Sequence, residues 1–447
     1  MGRISTDEKF REMTETPIRP LIVRLAVPTV ISNLISTIYN AADTFFIGLI
    51  STSASAAVGV AFSLQAIIQA IGFFFGQGSG TTVSKDLGKH DMRDAEIIAS
   101  TGFFSSFFLS FLIAIPGLIF LEPFAIFLGS TETILPYAKD YMFYILLGSP
   151  FMCSSLVLNN QLRFQGYSFY SMIGLTVGGV LNIFLDPLFI FAFDMGIAGA
   201  AFATALSQTV SFFILLYYAL KMGNVRLRLR LFRPSLAILK EITVGGLPSL
   251  CRQSVMSVAM IVLNTAAKPF GDAAIAAMAI VNKVGNFTNS ILLGVGQGFQ
   301  PVCGYNYGAR LYDRVREGFY FCVRSMVLFL IFLAVLEYIF APEIIEFFRR
   351  GDPAVTEIGS LALRLRCFTL WFSSWIVISN MLLQTTGKVV RASILGFARQ
   401  GIVLIPAVMI LTPLIGLLGI QLAQPIADLV TIALSIPMTI GVLKAMK

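Results

Sequence analysis

From residue 21 to residue 443, long apolar stretches alternate with short polar connections. Each stretch is mostly apolar and reaches the length of roughly 20 residues that an α-helix needs to cross a hydrocarbon core of about 30 Å. Glycines, prolines and charge clusters mark the ends of the stretches. The pattern predicts twelve helical spans, at 21–46, 54–78, 94–120, 133–162, 168–192, 195–220, 241–267, 273–298, 315–341, 356–384, 391–411 and 414–443. The fold class it indicates is an all-α polytopic membrane protein.

The composition excludes an ordinary soluble domain. Of 447 residues, 56% are hydrophobic and 13% charged, whereas soluble domains have about 45–50% and about 25%. Residues 1–16 are polar and lack the apolar stretch of a cleavable signal, so we expect the N-terminus to stay in the cytoplasm. The five cysteines and the single histidine show no metal-ligand spacing. No cofactor is expected, and without a nucleophile–base pair, metal cluster or phosphate-binding loop the chain is not expected to be an enzyme.

The basic residues are distributed unequally between the two sets of connections. One set, together with both termini, holds most of them: Arg3, Lys9, Arg11, Arg19, Lys85, Lys89, Arg93, Arg163, Lys221, Arg226, Arg228, Arg230, Arg233, Arg310, Arg314, Lys388, Lys444 and Lys447. The other set holds Lys268, Arg349 and Arg350. Because cytoplasmic loops carry the excess of Lys and Arg, both termini and residues 221–240 are predicted to be cytoplasmic, in a plasma (inner) membrane. The net charge of +8 is interpreted as attraction to anionic lipid headgroups, with no nucleic acid as partner.

The two halves of the chain repeat each other at one constant offset in the numbering. Gly76-Gln77-Gly78 recurs as Gly296-Gln297-Gly298, and Pro28 recurs as Pro248. Further matches at the same offset are Gly88 with Gly308, Gly196 with Gly416, Gly199 with Gly419 and Ala203 with Ala423. Six spans per repeat is an even number, so the repeats should be related by a pseudo-two-fold axis along the membrane normal. We predict an N-terminal six-helix bundle at 1–220, a basic linker at 221–240 and a C-terminal bundle at 241–447, with a binding site between the bundles near the midplane.

Carboxylates inside predicted spans are the main candidates for function, because a charge at the membrane centre costs about 2.5 to 3.5 kcal/mol on insertion scales. Asp43 and Asp186 both fall in the outer half of the first bundle, about 33 Å and about 27 Å along their spans. Asn182 shares a helix face with Asp186, and Thr204 and Tyr141 reach a comparable depth. Alternatively, Asp43 is an interfacial carboxylate, Asp186-Pro187 is a local bend, and Thr204 and Tyr141 bond only to backbone or a neighbouring helix.

Other polar positions in the spans have more open roles. Lys283, close to the midplane of predicted span 8, faces the cleft, pairs with a buried structural partner, or snorkels toward the interface. Arg252 and Gln253 in span 7 are further cleft candidates. Pro28 either bends span 1 functionally or is a structural kink. At the repeat offset Asp43 corresponds to Leu263 and Asp186 to Pro406, so the acidic chemistry is expected in the first bundle, and the role of Asp428 stays open.

Several of these segments together resemble the multidrug and toxic compound extrusion (MATE) family. They are Pro28 with Ala42-Asp43-Thr44-Phe45-Phe46-Ile47-Gly48, the paired Gly-Gln-Gly segments, Asn182-Ile183-Phe184-Leu185-Asp186-Pro187, and Gly196-Ile197-Ala198-Gly199-Ala200-Ala201. The resemblance implies a V-shaped pair of bundles and a first span that bends with the protonation of its acidic surroundings. It also implies that Asp43, Asn182, Asp186, Thr204 and Tyr141 bind the coupling cation, with Asp43, Asn182, Asp186 and Thr204 as ligands if that cation is sodium. Asn159 is a further match, near the inner end of span 4.

The function predicted on this basis is secondary active antiport. Cationic or amphipathic drugs would leave in exchange for inward protons or sodium ions, through a protein expected to be a monomer. The alternative is a flippase for lipid-linked oligosaccharides or lipids, which would need a strongly basic cleft for a pyrophosphate. A channel is disfavoured because the spans lack repeated rings of pore-lining charge.

Overall fold

The computed structural model describes residues 5–349 and 351–446, so Arg3, Arg350 and Lys447 of the charge count lie outside the described residues. In the described part the chain is helical almost throughout and contains no strand. The helices of the first half are α1 (Thr6–Glu15), α2 (Ile18–Gly48), α3 (Thr52–Gly88), α4 (Met92–Ile119), α5 (Leu121–Phe127), α6 (Leu135–Phe164), α7 (Ser168–Pro187) and α8 (Gly196–Lys221). Those of the second half are α9 (Leu236–Ala267), α10 (Asp272–Gly308), α11 (Tyr312–Ile339), α12 (Ala341–Phe348), α13 (Pro353–Leu370), α14 (Phe372–Thr385), α15 (Val389–Phe397), α16 (Leu404–Ile415) and α17 (Leu417–Ala445).

These helices make up the twelve predicted spans. Among the described residues, ten single stretches and the pair α13–α14 are long and apolar enough to cross a membrane. The twelfth span is the more polar α10, which is 37 residues long. The first six spans come from α2, α3, α4, α6, α7 and α8, and the last six from α9, α10, α11, α13–α14, α15–α16 and α17. The predicted fold class, two six-helix bundles, is confirmed.

The structure differs from the prediction in the lengths and shapes of a few spans. Helices α3 and α10 continue well beyond the predicted ends at 78 and 298, to Gly88 and Gly308, because their small polar residues there are buried between the bundles. The predicted linker 221–240 is shorter, since α9 already begins at Leu236. The tenth span is bent by 56° between α13 and α14.

The backbone repeats as the sequence does. His90 and Arg310, which are related by the repeat offset, both have φ near +60°, at 61° and 60°. Gly196 and Gly416, related in the same way, have φ of 56° and 63°. The short helices α5 and α12 also begin at equivalent positions, and the described residues of each half contain one π-helical turn, at Leu188–Ala192 and Ala398–Ile402. The predicted duplication therefore extends to the backbone conformation of the turns, including the turn at His90 and Arg310, which the sequence comparison did not include.

The hydrophobic core is shared at one end of the molecule and divided at the other. At the end that holds both termini, a single cluster combines both bundles, from Leu25 and Leu158 to Phe299 and Leu383. At the opposite end, one cluster around Tyr141 belongs to the first bundle and another around Leu363 to the second. The bundles thus pack against each other on the side of the termini and separate toward the other side, which gives the V shape.

Glycines permit the close packing of the two bundles on the side of the termini. The carbonyl oxygen of Ile242 on α9 lies 2.2 Å from where a Cβ on Gly78 of α3 would be. The repeat equivalent of Gly78, Gly298 on α10, is as tightly packed against Ala26 of α2, at 2.5 Å. The repeated Gly-Gln-Gly segments therefore lie in two equivalent contacts between the bundles.

Helix α1 lies across this side and contacts both bundles. A Ser5–Glu8 capping box starts the helix. Lys9 Nζ donates to the carbonyl oxygen of Gly166 in the first bundle at 2.9 Å. In the second bundle, Asn306 Nδ2 donates to Met13 O at 3.0 Å and Arg314 donates to Thr16 O at 2.6 Å. The bundles cannot part on this side without breaking some of these bonds.

The predicted orientation can be tested at Arg230, whose side chain is exposed in the connection between the bundles. In a variant without the native cysteines, Arg230→Cys should be labelled by a membrane-impermeant maleimide only after the cells are opened, because basic connections are retained in the cytoplasm. Asp194→Cys, exposed at the opposite end of the first bundle, should be labelled in intact cells. The reverse labelling pattern would invert the topology.

Candidate functional site

The first candidate site is a polar cluster inside the first bundle. Asn182 Nδ2 donates to Asp186 Oδ1 at 3.0 Å, one helical turn away on α7, and to Thr204 Oγ1 on α8 at 3.3 Å. Gln65 Nε2 on α3 donates to the hydroxyl of Tyr141 on α6 at 3.1 Å. Asp43 on α2 interacts electrostatically with both Tyr141 and Asp186. The fold therefore brings the five polar residues predicted from the sequence together from four helices.

The cluster has more hydrogen-bond acceptors than donors. Asp43 Oδ1, Asp186 Oδ2 and Asn182 Oδ1 are all buried and have no hydrogen-bond partner. The Asp186 side chain is 0% exposed. Buried polar atoms are normally paired, and an unpaired group costs about 1–3 kcal/mol. Three such oxygens on two carboxyls and an amide suit a proton or a small hard cation, because such a species would satisfy them. In the described part of the chain there is no group of three or more His, Cys, Asp or Glu residues arranged to hold a metal ion.

Two alternative roles considered for these residues can be compared with the structure. Asp43 Oδ1 is a buried atom within the bundle, which does not fit a carboxylate facing water at a helix end. Pro187 ends α7 and is followed by the π-helical turn Leu188–Ala192, so the helix is locally irregular there. This irregularity does not exclude a role for Asp186 in the cluster, because Asp186 still bonds to Asn182.

Asn159 lies elsewhere. Its Nδ2 donates to Ser171 Oγ at 2.7 Å and to Ser171 O at 3.1 Å, and Ser171 lies about 16 Å along α7 from Asn182. In the second half, Asn380 Nδ2 donates to Ala392 O across the same sequence separation. This recurrence in a bundle that lacks the carboxylate pair indicates that Asn159 joins α6 to α7.

Pro28 lies in the part of α2 that contacts the second bundle. The neighbouring Thr29 donates its hydroxyl to Gly294 O on α10 at 2.6 Å. Helix α2 runs without interruption from Ile18 to Gly48, through Pro28. The helix is therefore not broken at Pro28 in this conformation.

The second candidate site is a cavity of about 370 Å³ between the bundles. The first bundle contributes residues of α2 and α3, among them Thr37 and Asn40, and the second bundle contributes most of the wall. Arg252 and Gln253 line the cavity as predicted. Lys283 is exposed and is not among the lining residues, so the prediction that it faces the cleft is wrong, because Asn282 and Asn286 occupy the facing side of α10.

The cavity wall contains an ionic network that sequence analysis missed apart from Asp428. Arg399 Nε pairs with Asp428 Oδ1 at 2.8 Å, and Arg399 Nη2 donates to Ser373 Oγ at 2.7 Å. Nearby, Glu337 on α11 accepts from Thr288 Oγ1 at 3.1 Å and attracts Arg366. The signal that identified Asp43 and Asp186, a charged residue within a predicted span, would also have identified the other members of this network: Glu337, Arg366 and Arg399.

Helix α2 separates the two sites. Thr37 and Asn40 face the cavity, whereas Tyr39 and Asp43 interact with each other on the side of the polar cluster. Two bundles around a central cavity, with buried ionisable groups next to one shared helix, are the structure of a membrane transporter and not of an enzyme.

Comparison with known proteins identifies the family of this transporter. A sequence model of the MatE family matches residues 28–188 and again 248–410, two segments whose starts are related by the repeat offset. The chain therefore belongs to the multidrug and toxic compound extrusion (MATE) family.

Relatives and solved structures match over nearly the full length. The multidrug export protein MepA of Staphylococcus haemolyticus strain JCSC1435 is 28% identical over 429 residues, covering 95% of this chain and 94% of that protein. MepA of Staphylococcus aureus strain MRSA252 is 27% identical, covering 94% and 93%. A crystal structure of MATE in complex with MaL6 superposes with a TM-score of 0.92 at 25% identity, covering 98% and 99%. An outward-facing multidrug resistance MATE transporter of the MOP superfamily gives 0.92 at 24% identity, covering 100% and 99%.

Proposed function

We propose that this protein is a secondary active multidrug efflux antiporter. It exports amphipathic small molecules through the central cavity in exchange for protons or sodium ions that bind at the polar cluster of the first bundle. The observation that carries the proposal is the set of unpartnered buried oxygens on Asp43, Asn182 and Asp186, next to the helix that also forms the cavity wall. The multidrug export relatives support the assignment of drug efflux.

Alternating access follows from the division of the core. With the termini in the cytoplasm, this conformation is open to the outside and closed to the inside. Export requires the other conformation as well, in which the shared core parts and the separate cores meet. A cation drives the exchange only if it binds one conformation better than the other. Helix α2 provides the link, because Asp43 and the cavity-lining Thr37 and Asn40 lie on its two sides.

The alternative function, a lipid or lipid-linked oligosaccharide flippase, is favoured by one observation. The cavity is lined by three arginines, which suits a phosphate-bearing headgroup. In the antiporter the same charge selects among soluble amphipathic compounds.

The test is transport by the purified protein in liposomes with the pH and sodium gradients imposed separately. Ethidium, a permanent cation, and 1-pyrenesulfonate, a permanent anion, serve as cargo. At least one cargo should move against its gradient when one of the two ion gradients is present, and stop when an ionophore collapses it. Failure of both cargoes under both gradients, with protein correctly inserted, would refute the antiporter.

A further inference from the structure

The charged residues that line the central cavity all have the same sign. They are Arg252 on α9, Arg366 on α13 and Arg399 in the π-helical turn Ala398–Ile402, and within the described chain no other charged side chain lines the cavity. We propose that the cavity binds the anionic group of an amphipathic substrate, a carboxylate, phosphate or sulfonate. This inference rests on the proposed transport function and names the class of its cargo.

The three arginines differ in how far their charge is already compensated. Arg399 is the most compensated, since it pairs with Asp428, whose side chain is 1% exposed. Asp428 in turn accepts from Gln424 Nε2 at 3.1 Å and from Thr369 Oγ1 at 3.4 Å. These contacts hold Arg399 at the cavity wall and neutralise most of its charge.

Arg366 is held in place mainly by neutral groups. Its Nη1 donates to Val281 O on α10 at 3.2 Å. A Cβ on Gly285 would lie 2.0 Å from the same nitrogen, so the absent side chain makes room for the guanidinium. Glu337 attracts Arg366 but forms no ion pair with it; its Oε1 accepts from Thr288 and its Oε2 has no hydrogen-bond partner. The Arg366 charge is therefore partly compensated at a distance.

Arg252 is the least compensated. It donates a long hydrogen bond to Asn380 Oδ1, at 3.5 Å, and no carboxylate of the described residues pairs with it. An arginine inside a membrane bundle without a counter-ion is costly. Guanidinium groups bind carboxylate, phosphate and sulfonate oxygens with paired hydrogen bonds, so an anion in the cavity would satisfy the remaining donors of Arg252.

The rest of the wall suits the remainder of an amphipathic molecule. Apolar side chains on both sides of the arginines can contain a hydrocarbon or aromatic body: Phe73, Met256, Leu263, Met278, Leu293 and Ile376. Methionines adapt to bodies of different shape. With apolar walls and a few fixed polar groups, the cavity resembles other small-molecule sites. A permanent cation, by contrast, would be repelled mainly by Arg252, whose charge is the least compensated of the three.

The test compares two probes with the same aromatic body and opposite permanent charge, 1-pyrenesulfonate and (1-pyrenylmethyl)trimethylammonium. Their binding is measured by equilibrium dialysis with the full-length protein in phosphatidylcholine nanodiscs, with empty nanodiscs subtracted. The sulfonate should bind at least about ten times more tightly than the ammonium compound. Arg252→Gln, which can retain the bond to Asn380, should remove most of that preference, and Arg252→Lys should retain part of it.

The matched control is Lys240→Gln, which removes one positive charge from the exposed part of the same helix and should leave the preference unchanged. Equal binding of both probes, or an unchanged preference in Arg252→Gln, would overturn the inference. Binding needs no ion gradient, so the binding and transport experiments can fail independently. If the protein binds the sulfonate selectively and transports nothing, only the antiport proposal is refuted. If it transports normally and binds both probes equally, only the anion site is refuted.

A second arm separates the two sources of such an anion. Replacing a fifth of the phosphatidylcholine by phosphatidylglycerol should leave sulfonate binding to the wild-type protein within about twofold if the occupant is a soluble compound. If phosphatidylglycerol competes with the sulfonate for the wild-type protein, and this competition disappears in Arg252→Gln, a lipid headgroup enters the cavity. Both results support binding of an anionic group in the cavity, and the second result favours the flippase function over the antiporter.

Discussion

Asp43→Asn and Asp186→Asn should each reduce gradient-driven efflux to the background of empty liposomes while the protein remains folded. The two carboxyls belong to one buried cluster, in which like charges in a low-dielectric surrounding resist simultaneous ionisation. Binding of a proton or cation there favours one conformation over the other, and removing either charge removes that difference. The measurement is efflux in proteoliposomes, with melting temperature and expression recorded for each variant.

The two coupling ions give different phenotypes for Asp186→Asn. If protons are the coupling ions, the amide mimics the loaded carboxyl and the protein should remain in one conformation. If sodium is the coupling ion, the amide removes a charged ligand, and the protein should stop responding to sodium.

Asp194→Asn is the matched control for both substitutions. Asp194 is exposed and lies just beyond the π-helical turn that follows Asp186, with a φ of 52° that asparagine tolerates. It should retain the wild-type efflux rate. Wild-type rates in both Asp43→Asn and Asp186→Asn would show that the coupling site lies elsewhere and would direct attention to Asp428 and Glu337.

Gly78→Ala should strongly reduce export, because it hinders the two bundles from closing on the side of the termini. The added methyl group would lie 2.2 Å from the carbonyl oxygen of Ile242, a backbone atom of the other bundle, so α3 and α9 must separate. Overpacking of this kind costs about 1–3 kcal/mol, and each 1.4 kcal/mol shifts an equilibrium about tenfold. We expect export to fall to about a tenth or less, because the conformation closed on the side of the termini is rarely populated.

The same substitution at Gly59 is the control. Gly59 lies on the same helix, and nothing lies within 4 Å of where its Cβ would be. Both variants gain the helix propensity of alanine, about 1 kcal/mol, so only the contact differs. Spin labels at Arg93→Cys and Asp313→Cys, exposed on the closed side of the two bundles, should move apart in Gly78→Ala and not in Gly59→Ala. Unchanged distances together with normal export would show that the closed side does not require this contact.

The fold was largely predictable because a membrane reduces the problem to counting apolar helices and matching two halves. The boundaries of α4 and α8 lie close to the predicted ends, where charges or glycines follow apolar runs. The ends of α3 and α10 were missed, since buried residues such as Ser84 and Asn306 are as polar as loop residues. Their burial comes from the other bundle and is not visible along the chain.

The polar cluster was predictable for a similar reason. Asp43 and Asp186 are conspicuous as charges in apolar spans, and Asn182 follows from helical spacing. The sequence did not predict that the Lys283 side chain is exposed, because both faces of α10 carry polar residues near the midplane. Only packing against α2 and α13 determines which face of α10 lines the cavity.

The sequence by itself determined the number of spans, their duplication at a constant offset and the carboxylates of the first bundle, because each of these depends on local composition or fixed spacing along a helix. Only the tertiary structure decided which side of the molecule is closed, that α2 separates the polar cluster from the cavity, and that Arg252, Arg366 and Arg399 from three different spans line the same cavity. Those facts depend on which helix faces meet across the two bundles, and side-chain packing between distant segments selects those faces.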